Sequence, residues 1–362
     1  MQLTPLARPL GWARFTRQSA TAYHNTASPN LQTSLSPQRS WRSSRRPHAH
    51  CLTCLLPPSF TLPTPASGAA DRCTVGGVPT YLSWFRAELS LPENVRDGVL
   101  APGSLALGEV LFLLYDELHE PWSYLAILEA IRNGHHTFKA IKDATLLGDG
   151  QLLSYLAMLQ AMRYVERRLP VTIPPAKQRL SRLGRYHLSD PFFRFYFRFI
   201  HPHRDLIRYA PERILPALQS GLRAFVGQTA WEELARQWVR EQGAAGALAL
   251  LPEAVGSHWS RTVQVDVVAV NWKTHNLLLG ECKWSTDAVS RDSVRELITQ
   301  KTPRVLADMP GGAGAWTVHY ALFTRAGLTD AAAQELAAHG GISVDLPQLY
   351  ADLAEGMDEA SR

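Results

Sequence analysis

Val263-Gln264-Val265-Asp266-Val267-Val268-Ala269-Val270, followed by Asn276-Leu277-Leu278-Leu279-Gly280-Glu281-Cys282-Lys283, is the stretch whose reading decides the fold of this chain. The first run has the texture of a strand, broken by one acid. Asp266 stands where a charge is costly unless it is paired or bound to a metal. The interval Asn271-Trp272-Lys273-Thr274-His275-Asn276 reads as the turn of a hairpin. Folding back on that turn places Asp266, Glu281 and Lys283 near one another at a strand end. Two carboxylates and a lysine so placed can hold a divalent metal and activate water against a phosphodiester.

Outward from the hairpin, the pattern alternates. A helix is expected over Ala230 to Arg240, another over Asp292 to Lys301 and a third over Asp330 to His339. Strands are expected over Thr317 to Thr324 and Ile342 to Asp345. This is an α/β pattern with mixed sheet order.

Toward the N-terminus the texture is helical. Trp122 to Asn133 places Tyr124, Leu125, Leu128 and Ile131 on one face. A short helix fits His136 to Ala144, and a third carries Leu152, Leu153, Leu156, Leu159 and Met162 in register. Tyr164 to Val171 and Tyr186 to Ser189 then read as the two strands of a ribbon. Three helices and a ribbon is the order of a winged helix. Arg167, Arg168, Lys177, Arg179, Arg182 and Arg185 cluster in the ribbon and its loop, which points to contact with DNA. The third helix holds few basic residues, which argues against strong base readout. Asp190-Pro191 opens a further helix through an N-cap and a proline at the first turn. Its aromatic run, Phe192 to Phe199, has spacing suited to core packing.

Composition bounds the rest. A chain of 362 residues has room for two or three domains. The net charge of +5 is unevenly spread: the first seventy residues hold seven arginines and no acid, leaving −2 for the remainder. Any nucleic-acid contact must therefore come from local patches. No apolar run reaches membrane-spanning length, and the run from Val110 to Tyr115 reads as buried helix. Four cysteines make no disulfide framework at this length, so a reducing, cytoplasmic setting is expected. Cys51 and Cys54 with His48, His50 and Cys73 resemble zinc-ligand spacing, but no second pair follows and no folded pattern surrounds them. Residues 1–72 are rich in Ser, Thr, Pro and Arg and are expected to be disordered. They share features with a transit peptide, although a mis-framed coding start is the preferred reading. Residues 354–362 are expected to form a disordered tail. None of the six lysines follows a glycine, so the G-x-x-x-x-G-K-[ST] phosphate loop is absent and no ATP binding through it is expected.

Several motifs carry a resemblance. Gly76-Gly77-Val78-Pro79-Thr80-Tyr81-Leu82, Glu120-Pro121-Trp122-Ser123-Tyr124, Ser189 to Phe199, Asp266 to Asn271 and Gly280 to Trp284 together resemble the C-terminal half of an archaeal-type AAA ATPase family. That half carries a conserved domain of unknown function, and Gly76 to Leu82 resembles the lid of the ATPase module, with residues 73–119 as its helical remnant. The nucleotide-binding core that precedes it in the family is not found here, so no ATPase activity is expected from this chain alone. A homologous ATPase could act as its partner in trans.

The resemblance implies a winged-helix-like domain over residues 120–200 and a PD-(D/E)xK nuclease-like, mixed-sheet domain over residues 201–353. In that superfamily a helical acid, a strand acid and an E-x-K motif converge. Glu232, Asp266, Glu281 and Lys283 match those positions. Asp266, Glu281 and the Cys282 carbonyl would hold Mg²⁺, with Glu232 supporting a water and Lys283 the attacking nucleophile. The Cys282 side chain reads as a core residue. Trp284 and Gln300-Lys301 are candidates to extend the site, with packing for Trp284 and a solvated helix end for Lys301 as the preferred readings. The alternative is an inert ion-paired site on a DNA- or protein-binding module.

Overall fold

The hairpin lies in the middle of a mixed sheet. The computed structural model describes residues 81–360 apart from 82, 83, 87 and 102. The expectations for residues 1–72, including the cysteine pair, and for most of the Gly76 to Leu82 motif lie outside the described residues. Among the described residues no helix is long and apolar enough to cross a membrane.

The helical half begins with α1 (Leu91–Asn94, continued by Val95–Val99) and α2 (Ala106–Glu117). Then come α3 (Pro121–Arg132), α4 (Phe138–Thr145) and α5 (Asp149–Ala161). Thr137 caps α4 by accepting a bond from the Ala140 amide at 3.2 Å. α3 buries Tyr124, Leu125, Leu128 and Ile131, as their spacing requires. In α5 the buried stripe is Leu152, Leu156 and Leu159, whereas Leu153 is 61% exposed. One residue past Leu152, it falls about 100° around the helix and off the stripe. The run from Val110 to Tyr115 is helical, but Phe112 and Tyr115 face outward.

Strands β1 (Val165–Arg168) and β2 (Arg185–Leu188) pair antiparallel, Val165 opposite Leu188. Helix α6 (Pro191–Phe195, continued by Tyr196–Ile200) is capped by Asp190, whose carboxylate accepts from the Phe193 amide at 2.9 Å. Phe192, Phe193, Phe195, Tyr196 and Phe197 are almost wholly buried and join the core beneath the three helices. The aromatic run is therefore core, with no face left for stacking bases.

Helices α7 (Arg204–Tyr209) and α8 (Leu215–Val226) lead through residues 227–231 into α9 (Glu232–Ala244). The sheet then forms from β3 (Ala254–Trp259), β4 (Gln264–Asn271) and β5 (Asn276–Lys283). Helix α10 (Arg291–Arg295) runs through residues 296–301 into α11 (Thr302–Asp308), and β6 (Thr317–Thr324), α12 (Asp330–Ala338), β7 (Ile342–Asp345) and α13 (Leu346–Ala360) complete the chain. The last helix thus continues through positions expected to be a disordered tail, because its first turns pack Leu346, Leu349 and Leu353 on the sheet.

Sheet order is β3-β4-β5-β6-β7, antiparallel from β3 to β5 and parallel from β5 to β7. The described residues are thus mixed α/β, a helical region followed by a five-stranded mixed sheet. Both faces are covered, which explains the nearly unbroken apolar runs. Val265, Val268, Val270, Leu277 and Leu279 pack toward α10 to α12. Val267, Ala269, Leu278 and Phe323 pack toward α9 and α13. The hairpin turn is held by the Asn271 side chain, which accepts from the amides of Lys273 (3.0 Å) and Thr274 (2.9 Å). Asparagine makes this local bond at low cost, as turns of this kind require.

Leu279 is wholly buried on the central strand. Leu279→Ala is expected to cost about 2–5 kcal/mol through cavity formation. Phe112→Ser should stay within about 0.5 kcal/mol. Urea unfolding midpoints of both variants check the contrast.

A candidate acid site on a bulged strand

Strand β4 carries one residue more than its neighbour at the place where Asp266 lies. Gly256 pairs with Val268 and His258 with Val265, so Ser257 alone stands opposite Asp266 and Val267. This is a β-bulge, a feature that bends a strand and re-aims a side chain. On the other side the β4–β5 ladder stops at Val267 opposite Gly280. Beyond it, the Asp266 carboxylate takes over the role of a backbone partner, accepting from the Cys282 amide at 3.1 Å.

The Asp266 carbonyl at the bulge is satisfied from elsewhere. Ser257 Oγ donates to it at 2.8 Å and Arg236 Nη1 at 3.0 Å. Arg236 is almost fully buried on α9. It also donates to Ser257 Oγ (3.0 Å), Glu232 (3.4 Å) and Glu233 (3.0 Å). The helix carrying Glu232 and the bulge carrying Asp266 are therefore joined by one guanidinium. Trp231 fixes the start of α9 by donating its indole N–H to the Phe323 carbonyl at 3.2 Å. The turn just before Glu232, residues 227–231, is π-helical, a widening often found at functional sites.

Glu281 is buried, with only 3% of its surface exposed. Its two oxygens meet two different lysines: Oε1 lies 2.7 Å from Lys301 Nζ and Oε2 lies 3.5 Å from Lys283 Nζ. Lys301 is four-fifths buried and pairs with Glu281, which corrects the preferred reading as a solvated helix end in favour of the alternative that Gln300-Lys301 extends the site. Residues 296–301 are π-helical, like the segment before Glu232. No sequence signal separates Lys301 from an ordinary helix-end lysine, because its partner lies on another element. Cys282 carries a free thiol and packs on the α9 face of the sheet, as its alternation with Glu281 requires. Trp284 is packing: its ring meets Trp231 at 5.2 Å, and the Arg325 guanidinium lies 5.1 Å from it.

Electrostatics show that the acids sense one another. Burial, then the Asp266 charge, pushes Glu232 up to about 7 against the pull of Arg236 and Arg168. Burial and then Asp266 likewise raise Glu281, offset by Lys301 and Lys283. Burial, followed by Asp266 and Glu232, drives the Cys282 thiol well above its usual range. Asp266 is thus the common neighbour of both glutamates. Glu233 behaves in the opposite way: burial works to raise it, but Arg236, Arg168 and Arg240 together hold it at about 2.

Of the metal set named from sequence, the Asp266 carboxylate sits on the Cys282 amide and within electrostatic reach of Glu281. Among the described residues no three acid, histidine or cysteine side chains form a ready metal cage. Mg²⁺ commonly uses one or two protein carboxylates and keeps its waters. Asp266 and Glu281 supply two carboxylates, although each oxygen of Glu281 already meets a lysine.

The six basic residues assigned to DNA divide into two groups. Lys177, Arg179 and Arg182 are exposed in the loop between β1 and β2. Arg167 is also exposed, though it donates to the Ser181 carbonyl at 2.7 Å. Arg168 turns inward, bonded to Glu166 and 3.9 Å from Glu233. Arg185 stacks over Trp259, 5.0 Å from the ring centre. Arg168 and Arg185 therefore tie the ribbon to the sheet half, a use that residue type and local spacing do not reveal.

Stability should carry the signature of Glu232 and Glu233 in opposite directions. Between 4.5 and about 7 the native form keeps the Glu232 proton that the unfolded chain has lost, so this residue makes stability fall as pH rises. Glu233 contributes stability that is full above 4.5 and lost as pH falls toward about 2. Urea melts across pH should show the first slope flattened by Glu232→Gln and the second by Glu233→Gln.

Residues 196–297 match a family described as archaea bacterial proteins of unknown function, DUF234. That segment includes Glu232, Asp266, Glu281 and Lys283. The chain is also 30% identical over 216 residues to an uncharacterised protein of Methanocaldococcus jannaschii, an alignment covering 60% of this chain and 47% of that protein. The chain thus spans about half the length of this curated relative. By these comparisons residues 196–297, from the end of α6 through β5 into the helix after it, are similar to an archaeal and bacterial family of unknown function.

Proposed function

We propose that this chain is a nucleic-acid-binding protein whose sheet half is a PD-(D/E)xK-type, metal-dependent nuclease unit. One arrangement carries the reading: Arg236 joins Glu232 to the Asp266 bulge, the Asp266 carboxylate accepts from the amide beside Glu281, and both glutamates lie within electrostatic reach of Asp266. The helix-strand-strand-strand-helix-strand order from α9 to β6 supports it, as does the placement of the acids at one end of β4 and β5. The order α3-α4-α5-β1-β2 supports a winged-helix reading of the helical half, with DNA as the partner. The ATPase-family relationship belongs to the same proposal, with any ATP chemistry supplied by a partner.

Asp266, Glu281 and the Cys282 carbonyl are the groups that would hold Mg²⁺. When bound, the ion would acidify a water and polarise a phosphoryl oxygen. Lys283, one-third exposed beside Glu281, is placed to orient the water and offset negative charge on the phosphate. Glu232, half protonated near neutrality, is suited to accept or return a proton. Water oxygen forms the new bond to phosphorus, the bond to the leaving oxygen breaks, and the proton lost by water passes to a nearby base.

A second reading is favoured by the two lysines on Glu281, which already neutralise it. In that reading the site is a closed ion-paired cluster, and the protein binds nucleic acid or another protein without cutting.

Incubating the purified protein with plasmid and single-stranded DNA in Mg²⁺ or Mn²⁺ separates the two. Cleavage that drops about 10²–10³-fold in Asp266→Ala supports the nuclease. Absence of cleavage, or cleavage indifferent to that change, leaves the binding module. For DNA binding, neutralising Lys177, Arg179 and Arg182 together should make the slope of log K against log salt shallower by roughly 3. An unchanged slope would remove this loop from the interface.

A further inference from the structure

We propose that the loop after β1 is part of the acid site, with Val171, Thr172, Ser257 and His258 acting as positioning residues for Asp266. The inference rests on reading Asp266 as a functional carboxylate. Its ground is the contact between this loop and the bulge.

β3 is the edge strand of the sheet. An uncovered edge offers free backbone groups, which proteins commonly cover with a loop or helix. Here the cover arrives from the helical half. The Val171 amide donates to the Ser257 carbonyl at 3.0 Å. Ser257 is the residue opposite the bulge, and its hydroxyl donates to the Asp266 carbonyl at 2.8 Å. The Val171 side chain continues inward to join the apolar core of the α10–α12 face. A Cβ at Gly256 would meet Val171 Cβ at 3.2 Å, so glycine at this position gives the loop room to approach.

The next residue adds a polar latch. Thr172 Oγ1 and His258 Nδ1 are 2.7 Å apart, and both side chains are buried. His258 Nε2 lies 3.4 Å from Asp308 on α11. A neutral imidazole with its proton on Nε2 serves both partners, accepting from the threonine and facing the carboxylate. Loop, edge strand and helix are thereby fixed at Ser257, which stands opposite the bulge, and at His258 beside it.

The chain of contacts is continuous: Val171 and Thr172 hold β3, Ser257 holds the Asp266 carbonyl, and the Asp266 carboxylate holds the Cys282 amide. Five residues beyond Thr172, the same loop presents Lys177, and then Arg179 and Arg182, to solvent. A polyanion engaged by those side chains would load the segment that fixes Asp266.

Amide hydrogen exchange of Cys282, followed by NMR in the full chain, reads the position of the Asp266 carboxylate directly. Thr172→Val is expected to speed exchange at Cys282 by about fivefold or more while amides near the Asn271–Asn276 turn stay unchanged. Thr172→Ser is expected to restore protection. An unchanged Cys282 rate, or a uniform rise along β4 and β5, overturns the proposal. Should Thr172→Val fail to fold, Asp308→Asn tests the same latch from its exposed end, with the same outcomes. The readout needs no cleavage, so a wild-type protein that never cuts DNA rejects the nuclease reading and leaves this test intact. Where the wild type does cut, Thr172→Val should lower kcat with KM unchanged.

Discussion

A guanidinium taken out of water is tolerated only when its donors are met, and Arg236 is the place where this chain accepts that cost. Its partners are two glutamates on its own helix, a serine hydroxyl on the edge strand and the carbonyl of Asp266. Losing one member of such a buried set leaves the others uncompensated. The arrangement therefore acts as a joint: α9 cannot slide along the sheet without breaking bonds to β3 and β4. The relative placement of Glu232 and Asp266 follows from that joint, and so does the lowered proton affinity of Glu233, while burial and Asp266 raise Glu232 against the same guanidinium.

Much of the sheet half was legible in the sequence, because two covered faces demand long apolar runs and short turns. The strand at Thr317–Thr324 and the turn at Asn271–Asn276 are where pattern and turn chemistry place them. β3 was not legible. Ala254-Val255-Gly256-Ser257-His258-Trp259 is half polar and contains a glycine, and its role depends on a loop 86 positions earlier. Likewise Lys301 has the sequence context of any helix end. Its meaning comes from Glu281, which a different element supplies. The proximity of Asp266, Glu281 and Lys283 was legible because a single hairpin brings them together. The bulge that aims Asp266 was not, since register irregularities depend on pairing across strands.

The basic residues teach a related lesson. Six side chains of one charge in one stretch read as a single patch, yet the fold spends them differently. Arg168 and Arg185 turn toward Glu233 and Trp259 and serve cohesion between the halves. Lys177, Arg179 and Arg182 keep their charge in solvent. Arginine can do either, because its planar head stacks on aromatics and forks onto carboxylates as readily as it meets phosphate.

The change from antiparallel to parallel pairing at β5 has a consequence for how the molecule assembles. β4 and β5 are joined by a tight turn, whereas Asn276 of β5 and Thr317 of β6 pair across forty-one positions of chain. Contacts between near neighbours close first, since long loops cost more entropy. The nascent hairpin thus gathers Asp266, Glu281 and Lys283 first, and Lys301 reaches Glu281 only when residues 296–301 pack against the sheet.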